Sequence, residues 1–545
     1  DGLGFRDVQP GAQIPVRYAS TGSRTVRVIA RTAAGDVRHA SFGFDVRRLF
    51  VPAADETLAV TATVPYLGNF GTGDAFIYRS ASNPVLTNPV IVVEGFDLDD
   101  SLNWPELYDL LNQQNLLEDL RADGFDAVVL NFTEATAPLQ ENAFVVTELI
   151  QQINAMIAPG ATTVLAGASM GGLCGRYALT WMEDQAIDAR VRTFLSFDAP
   201  HGGANIPLGV EYWVDFFSGQ STDAAYLLSR LETPAARQML LYFYSDPPSS
   251  SPTADPMRAA YEADLASIGD WPQQPRKVAI ANGSGTAQDQ GYAPGAKLID
   301  WHASGFGLNI VGDIWAVPDG TPGTTIFDGN ITILFITLDN QNVTVSGTQP
   351  WDNAPGGKRN SMFQMDTTAA PFGDIVALHD DHCFVPTISA LALSVSDPFF
   401  DVSAAPDPLS LTEFDAVYYP AVNEDHVEIT AQSAAWFRAE VGAGVVDAPA
   451  VPPAAARRML ALQPVAPNPF RDAAEIRFSL GAAAPVTVDV HDIRGRLIRR
   501  LINGEAMPAG PHSVRWSRGD LPSGVYLFRV RAGGAEAEGK AVLLR

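Results

Sequence analysis

The stretch Thr162–Asp184, TTVLAGASMGGLCGRYALTWMED, changes character at a single residue, Ser169. Up to Ala168 the residues are aliphatic, β-branched or small, which is typical of a buried strand, and from Met170 onward the apolar residues recur at helical spacing. Glycines stand two residues before and two residues after the serine. G-x-S-x-G at a strand-to-helix turn predicts a strained serine with a raised hydroxyl, because glycines there remove β-carbons that would collide with the strand and the helix.

Strands and helices alternate on both sides of this turn. Buried strands are predicted for NPVIVVEGFD (88–97), GFDAVVLNF (124–132), TTVLAGAS (162–169) and VRTFLSFDAP (191–200), with amphipathic helices between them. This alternation is typical of a doubly wound, mostly parallel sheet. The predicted fold class is therefore α/β.

The rest of the chain divides by composition. Residues 1–60 alternate polar and apolar side chains around turns and predict a small N-terminal β module. The α/β domain spans 61–441, with a helical cap at about 205–272 and a β-hairpin excursion at about 296–350. Small residues and prolines at 442–458 indicate a linker, and short alternating strands at 459–545 predict a β-sandwich.

The formal net charge of −26 is unevenly distributed. Residues 455–545 hold 14 Lys+Arg and 8 Asp+Glu, a net charge of +6, so that residues 1–454 carry −32. The acidic body disfavours a nucleic-acid partner. There is no apolar run of membrane-spanning length and no basic-then-apolar leader, so we expect a soluble chain without a transmembrane segment, trimmed of any signal peptide. For Cys174 and Cys383, two buried thiols are favoured over one bridge.

A nucleophilic serine requires a base, an acid that orients the base, and donors for an oxyanion. His426 is the candidate base, since NEDHVEIT places it between the last predicted strand, FDAVYYP, and the closing helix. The oxyanion donors are expected to be the backbone N–H groups of Met170, next to the serine, and of Phe96, after VIVVEGF. No CxxC, HExxH or GxxxxGK pattern occurs, so we predict no cofactor and no metal. The acidic run at Asp97–Asp100 is interpreted as a solvated loop rather than a Ca²⁺ site.

Residues 85–441 resemble the α/β-hydrolase superfamily, in particular secreted bacterial lipases and esterases related to the lecithin:cholesterol acyltransferase type. The resemblance is carried by VIVVEGFD, AGASMGG, FDAPHGGANIP, HDDHCFVPT and NEDH. Many relatives have His-Gly where this chain has Glu94-Gly95, so Glu94 is interpreted as shaping the loop. His201, in the segment that resembles S/T-P-H-x-G, precedes the cap, which favours a structural role over that of the base.

The resemblance leaves the acid open among three aspartates. HDDHCFVPT is similar to the D-G-x-V-P loop that carries the acid in many lipase-type hydrolases, which favours Asp381, although its spacing to Val385 is one residue longer and His382 occupies the expected position. With Asp381 as the acid, His382 is expected to contact the triad residues without taking part in the reaction itself. Asp198, at the end of the strand after the nucleophile strand, is the position that some lipases use, and Asp289 is the third candidate.

The terminal module resembles the C-terminal sorting domains of the type IX secretion system and the related immunoglobulin-like domain of the flagellar hook cap. PNPF, the EIRF strand, RGRL and LPSGVY carry this resemblance. It implies that the secretion machinery is a partner, and that the protein is extracellular or attached to the outer cell surface.

The function that these features predict is a secreted serine carboxylic ester hydrolase, a lipase or esterase, that acts through an acyl-enzyme on Ser169. Its partner would be a lipid or other ester, with a polymeric ester as one option. Two alternatives stay open: an amidase or peptidase that uses the same triad, and a non-catalytic surface-binding protein on a hydrolase scaffold.

Overall fold

The computed structural model describes residues 22–543 apart from 32–36, 47–51, 81–85, 97–107, 109, 306, 368–374, 444–459 and short gaps in the C-terminal module at 463–464, 466–467, 469, 481–482, 493–495, 509, 520 and 533–534. The predicted solvated loop at Asp97–Asp100 and nearly all of the predicted linker lie outside the described residues.

The N-terminal part forms an antiparallel pair of strands, β1 (Gly22–Arg31) and β2 (Val37–Val46). The predicted domain boundary at residue 60 is wrong. The next strand, Glu56–Thr61, pairs with Thr72–Tyr78 and forms the edge of the main sheet, so that this sheet begins before the predicted boundary.

The main sheet has eight strands and combines parallel and antiparallel pairing. The strands are β3 (Glu56–Thr61), β4 (Thr72–Tyr78), β5 (Pro89–Val93), β6 (Asp126–Phe132), β7 (Thr163–Ala168), β8 (Val191–Phe197), β9 (Arg276–Ile280) and β18 (Ala416–Tyr418). Their order in the sheet is β18-β9-β8-β7-β5-β6-β4-β3, in which the pairs from β18 to β6 are parallel and the two pairs at the β3 edge are antiparallel.

Helices cover both faces of this sheet, as the doubly wound prediction requires. The strands β5 and β7 are buried along their whole length, which explains their near-continuous aliphatic sequences. One face packs against α2 (Leu139–Met156) and α3 (Met170–Asp184), and the other against α1 (Leu116–Ala122) and α10 (Ala431–Ala443). The carboxyl ends of the parallel strands are left to the loops, which is where open α/β sheets bind ligands.

The cap region is helical where the sequence predicts it and is followed by a second sheet. The helices are α4 (Leu208–Phe217), α5 (Thr222–Leu231), α6 (Pro234–Met239) and α7 (Pro256–Ile268). The β-hairpin excursion is an antiparallel sheet of order β14-β13-β12-β10-β16, with β11 on β12. Its strands are β10 (Lys297–Asp300), β11 (His302–Gly305), β12 (Leu308–Trp315), β13 (Thr324–Ile333), β14 (Ile336–Val345) and β16 (Val376–Ala377). Helix α4 packs on this sheet and shares an apolar core with it.

A short antiparallel pair, β15 (Gly356–Arg359) with β17 (His382–Pro386), follows the second sheet. The neighbouring helices are α8 (Ser361–Thr367) and α9 (Thr387–Ala390). Both cysteines are buried and free, in agreement with the prediction of two buried thiols.

The C-terminal module consists of two antiparallel sheets around one apolar core. The core is centred on the fully buried Trp516, whose ring contacts Phe470 and Tyr526. The strands are β19 (Leu460–Leu462), β20 (Ala473–Leu480) and β23 (Gly510–Ser517) in one sheet, and β21 (Ala484–Asp492), β22 (Leu497–Met507), β24 (Gly524–Ala532) and β25 (Ala535–Leu543) in the other. Among the helices that the structure describes, none combines the length and the apolar character that a membrane crossing requires.

Candidate active site

Five loops meet at the carboxyl edge of the main sheet, and each contributes to one site. They follow five adjacent parallel strands, β5, β7, β8, β9 and β18. The residues that they place at the site are Gly95, Ser169, Asp198, Asn282 and His426.

Ser169 occupies the predicted strained turn between β7 and α3. Its backbone has φ 52° and ψ −126°, a conformation that is rare for a residue with a side chain. A Cβ at Gly167 would lie 2.4 Å from the backbone of Gly171, and a Cβ at Gly171 would lie 2.3 Å from the carbonyl oxygen of Glu94. Both glycines are therefore required by backbone contacts that leave no space for a side chain.

The side chains of Ser169, His426 and Asp198 form a continuous hydrogen-bonded chain. His426 Nε2 lies 2.8 Å from Ser169 Oγ, and His426 Nδ1 lies 2.7 Å from Asp198 Oδ2. Because a carboxylate can only accept, Nδ1–H donates to Asp198 and leaves the lone pair of Nε2 to accept the serine proton. The order and geometry are those of a nucleophile, a base and an orienting acid.

Asp198 is held rigidly at the end of β8. It is fully buried and its backbone adopts φ 46°. Its N–H donates to the carbonyl of Ile280 at 2.7 Å, and its Oδ1 accepts from the backbone N–H of Asn282 at 3.0 Å. A Cβ at Gly357 would lie 2.2 Å from Oδ2. The carboxylate therefore has one oxygen fixed by a backbone amide and the other directed at His426.

The loop that carries His426 is fixed by strand β15. The N–H of His426 donates to the carbonyl of Lys358 at 2.9 Å, and the N–H of Lys358 donates to the carbonyl of Glu424 at 3.0 Å. The imidazole also packs edge-on against the ring of Phe384, with 4.8 Å between the ring centroids. A single strand thus positions the base through its backbone and the acid through Gly357.

Burial determines the protonation of the base. It lowers the pKa of His426 below its ordinary value of 6.5, and the hydrogen bond and charge of Asp198 oppose part of this effect. The imidazole is therefore neutral at pH 7, the form that can accept a proton. Nearby, burial raises the pKa of Glu424 to about 7, and its Oε2 accepts from Asn282 Nδ2 at 3.0 Å.

The loop after β5 lies against the nucleophile. A Cβ at Gly95 would lie 3.0 Å from the Cβ of Ser169, so the backbone before Phe96 passes close to the serine. Met170 is the first residue of α3, where a backbone N–H has no partner within the helix. The buried Glu94 carboxylate accepts a hydrogen bond from the N–H of Phe132, in keeping with its interpretation as a residue that shapes the loop.

The preferred acid, Asp381, does not contact His426. Its carboxylate forms an ion pair with Lys358 Nζ at 3.0 Å, and Lys358 also lies 3.4 Å from Asp425. The side chain of Asp289 accepts from the N–H of Gly291 within its own turn, and the Nδ1 position at His426 is taken by Asp198. The second-ranked residue, Asp198, occupies the position at the histidine. The one-residue excess in the spacing to Val385 was the signal against Asp381.

His201 and His382, the two other histidines near the predicted site, form hydrogen bonds with residues outside the triad. His201 Nε2 lies 2.8 Å from Ser196 Oγ, its ring packs against Trp271 and Phe414, and burial together with the charge of Arg176 lowers its pKa well below 6.5. His382 bonds through Nε2 to Ser361 Oγ and through Nδ1 to the carbonyl of Cys383. Neither of these partners belongs to the triad.

Sequence reasoning missed the supporting residues Asn282, Gly357, Lys358 and Phe384. Asn282 follows a buried strand in the same way as Asp198 follows β8, which is a signal that could have been used. Gly357 stands in the double glycine of APGGKRN, and nothing local indicates that it packs against an aspartate.

One group of described residues has the composition of a metal site. Asp300, His302 and Asp313 have ligand atoms within 4.8 Å of one another, on the second sheet. The ammonium group of Lys297 bonds to both carboxylates, with 2.8 Å to Asp313 Oδ2, and so occupies the place that a cation would take.

Comparison with known proteins identifies the C-terminal module. Residues 464–543 match the family described as the secretion system C-terminal sorting domain. These residues coincide with the two-sheet module, and they mark the protein as one secreted by the type IX system, with an extracellular or cell-surface location. No curated protein matches the chain.

Similar solved structures include several esterases, and the likeness to each of them is weak. Est1E from Butyrivibrio proteoclasticus is 14% identical, with 26% of this chain and 50% of that chain covered and a TM-score of 0.20. The esterase domain of a Rhodothermus marinus protein is 13% identical, with 27% and 50% covered and a TM-score of 0.19. An esterase from Pyrobaculum calidifontis is 12% identical, with 42% and 66% covered and a TM-score of 0.26. The chain spans about half the length of the first two, and the functional assignment rests on the geometry of the site instead.

Proposed function

We propose that this secreted protein is a serine hydrolase of the α/β-hydrolase fold that cleaves carboxylic esters through an acyl-enzyme on Ser169. The observation that carries the proposal is the hydrogen-bonded chain from Ser169 Oγ through His426 to Asp198, with steps of 2.8 and 2.7 Å. The chain order serine, aspartate, histidine and the placement of the serine at a strand-to-helix turn support the same fold.

In the first half-reaction, His426 Nε2 accepts the Ser169 proton while Oγ attacks the ester carbonyl carbon. The carbonyl oxygen becomes an oxyanion, which accepts hydrogen bonds from the backbone N–H groups of Met170 and Phe96. One such donor is worth about 10²–10³ in rate. Asp198 stabilises the imidazolium and keeps the ring in one tautomer. The imidazolium then protonates the departing alkoxide, and an alcohol leaves.

In the second half-reaction, His426 deprotonates a water molecule, which attacks the acyl carbon. The bond from this carbon to Oγ then breaks, the imidazolium returns the proton to Oγ, and the carboxylic acid and free Ser169 are released. The intact contacts of all three side chains also argue for catalysis over a purely binding role, since a fully buried carboxylate and a strained serine have no evident use in a scaffold that only binds.

The test is hydrolysis of p-nitrophenyl esters from acetate to palmitate by the wild type and by Ser169→Ala. Activity should be abolished in the variant, and a fluorophosphonate probe should label wild-type Ser169 alone. The acyl chain length of the ester that is hydrolysed fastest then indicates the length of the acyl-binding site. Equal hydrolysis by both proteins, or a folded wild type that neither hydrolyses these esters nor reacts with the probe, would exclude the proposed function.

A further inference from the structure

The hairpin formed by β13 and β14 ends in an exposed apolar tip. Phe335 is fully exposed, at 100%, and Leu334 and Ile336 expose 65% and 66% of their surface. We define the apolar tip as these three residues together with their exposed neighbours Ile333 and Leu338. A single exposed apolar residue needs no explanation, but five exposed apolar residues among the six at positions 333–338 are a feature of the kind that marks an interaction site.

The conformation of the turn is unfavourable for the two residues that form it. Leu334 and Phe335 form a two-residue loop between the paired Ile333 and Ile336, and both have positive φ, 46° and 68°. Loops of this class favour Asn-Gly, because L residues with bulky side chains resist the left-handed region. Since Leu334 and Phe335 are exposed, packing within the protein does not compensate for this conformation.

The charges near the apolar tip limit what could cover it. Residues 329–338 contain no charged side chain, and the nearest charges along the strands are the acidic Asp328 and Asp339. The chain as a whole is strongly acidic. Anionic bilayers and nucleic acids attract Lys and Arg, so this surface is matched to an uncharged partner.

The size of the apolar tip argues against a protein partner. A stable interface between proteins buries about 800 Å² and roughly 20–30 residues on each side. Five side chains at the end of one hairpin provide far less. A fluid apolar phase deforms around inserted side chains and therefore needs no surface of complementary shape. Burial of even two large apolar side chains in such a phase is strongly favourable.

We infer that the apolar tip inserts into the surface of a neutral, water-insoluble ester aggregate, such as an emulsified glyceride, and holds the enzyme on its substrate. The identity of the phase rests on the proposed ester hydrolase function, whereas the adsorption itself does not require catalysis. The hairpin provides a firm support, because Leu334 N–H donates to the carbonyl of Gly307 at 2.7 Å and β13 is paired on both of its edges.

The experiment measures adsorption of the full chain to triolein droplets in the Ser169→Ala background, where no substrate is consumed. Leu334→Asn with Phe335→Gly installs the preferred residues of this turn, so the hairpin should fold at least as well. The exchange should weaken adsorption at least about tenfold, since each large apolar side chain contributes about that factor. With Ser169 restored, it should leave hydrolysis of dissolved p-nitrophenyl butyrate unchanged.

Leu67→Asn is the matched control. Leu67 is 83% exposed, has φ 49°, and lies with Gly68 in a two-residue turn between the bridged Tyr66 and Asn69. It should not alter adsorption. The inference is overturned if the exchange in the apolar tip leaves adsorption unchanged, if Leu67→Asn weakens it equally, if phosphatidylglycerol vesicles bind as strongly as triolein, or if the exchange abolishes a dimer. If the wild type adsorbs to triolein but hydrolyses no ester, the proposed function is wrong and the inference about adsorption still holds.

Discussion

Gly357 lies directly against the carboxylate of Asp198, so closely that a Cβ at position 357 would be 2.2 Å from Oδ2. The carboxylate that bonds to His426 is thus confined by a backbone with no side chain. We expect Gly357→Ala to displace Asp198 and to lower kcat/KM for p-nitrophenyl butyrate by about 10- to 100-fold, since catalytic groups tolerate only small displacements.

The matched control for this prediction is Gly219→Ala, where nothing lies within 4 Å of an added Cβ. Its kcat/KM should stay within about twofold of the wild type. If Gly357→Ala retains full activity while remaining folded by circular dichroism, the carboxylate of Asp198 is not confined in the way described.

Asp198→Asn and Asp381→Asn distinguish the acid that the structure places at the histidine from the one that the sequence favours. Asp198→Asn should reduce kcat by about 10⁴, because an amide at this position stabilises the wrong imidazole tautomer. Asp381→Asn removes an ion pair with Lys358 and should change kcat less than threefold, as half-exposed pairs contribute little. The opposite ranking in steady-state kinetics would restore Asp381 as the acid.

The acid limb of the pH–rate profile should report the buried imidazole. Burial lowers the pKa of His426 below 6.5, and the base must be neutral to act. We therefore expect kcat/KM to rise with pH along a single limb with a midpoint below 6.5 and then to level off. In Asp198→Asn the hydrogen bond that raises this pKa is lost, so the midpoint should move lower still. A wild-type midpoint above 7 would contradict the assignment.

Glu424 should make the folded protein less stable as the pH rises towards neutrality. Burial raises its pKa from 4.5 to about 7, so the folded state holds a proton that the unfolded state releases. The resulting stabilisation is complete below about pH 4.5 and is lost as the pH rises through 7. Glu424→Gln removes this dependence and retains an acceptor for Asn282. Its free energy of unfolding relative to the wild type should therefore increase from pH 4.5 to 7.5 in urea titrations, and a constant difference would refute this.

The two thiols should be inert in the folded protein. Cys174 and Cys383 are fully buried, and burial raises the pKa of each above its ordinary range. Ellman's reagent should react with neither thiol under native conditions and with both in guanidinium chloride, and dithiothreitol should leave the Tm unchanged. Recovery of fewer than two thiols after unfolding would indicate a bridge.

The local features of the site could be predicted because each depends on residues that are neighbours in the chain. The strained turn at Ser169 follows from two glycines and a change of hydrophobic period within one short stretch. His426 follows from its place between the last strand and the closing helix, both of which the structure contains. The sorting domain was identified from turn and strand motifs within residues 464–543.

Contacts between distant segments could not be predicted in the same way. The sequence ranked Asp381 above Asp198 because a local motif can be matched by pattern, whereas the ion pair between Asp381 and Lys358 depends on how β15 and β17 pair. The boundary at residue 60 was placed too late for a similar reason, since Glu56–Thr61 joins the main sheet through hydrogen bonds to another strand.

The sequence by itself determined the α/β class, the strained turn at Ser169, the place of His426 between the last strand and the closing helix, and the route of secretion, since periodicity, glycine spacing and compact motifs are properties of short segments. Only the tertiary structure decided which aspartate serves His426. That choice depends on one hydrogen bond between Asp198 and His426, which lie 228 residues apart in the chain, and on Gly357 in β15, which leaves space for the carboxylate. Long-range packing selects among the local candidates because the distance from each of them to His426 is set by the whole sheet.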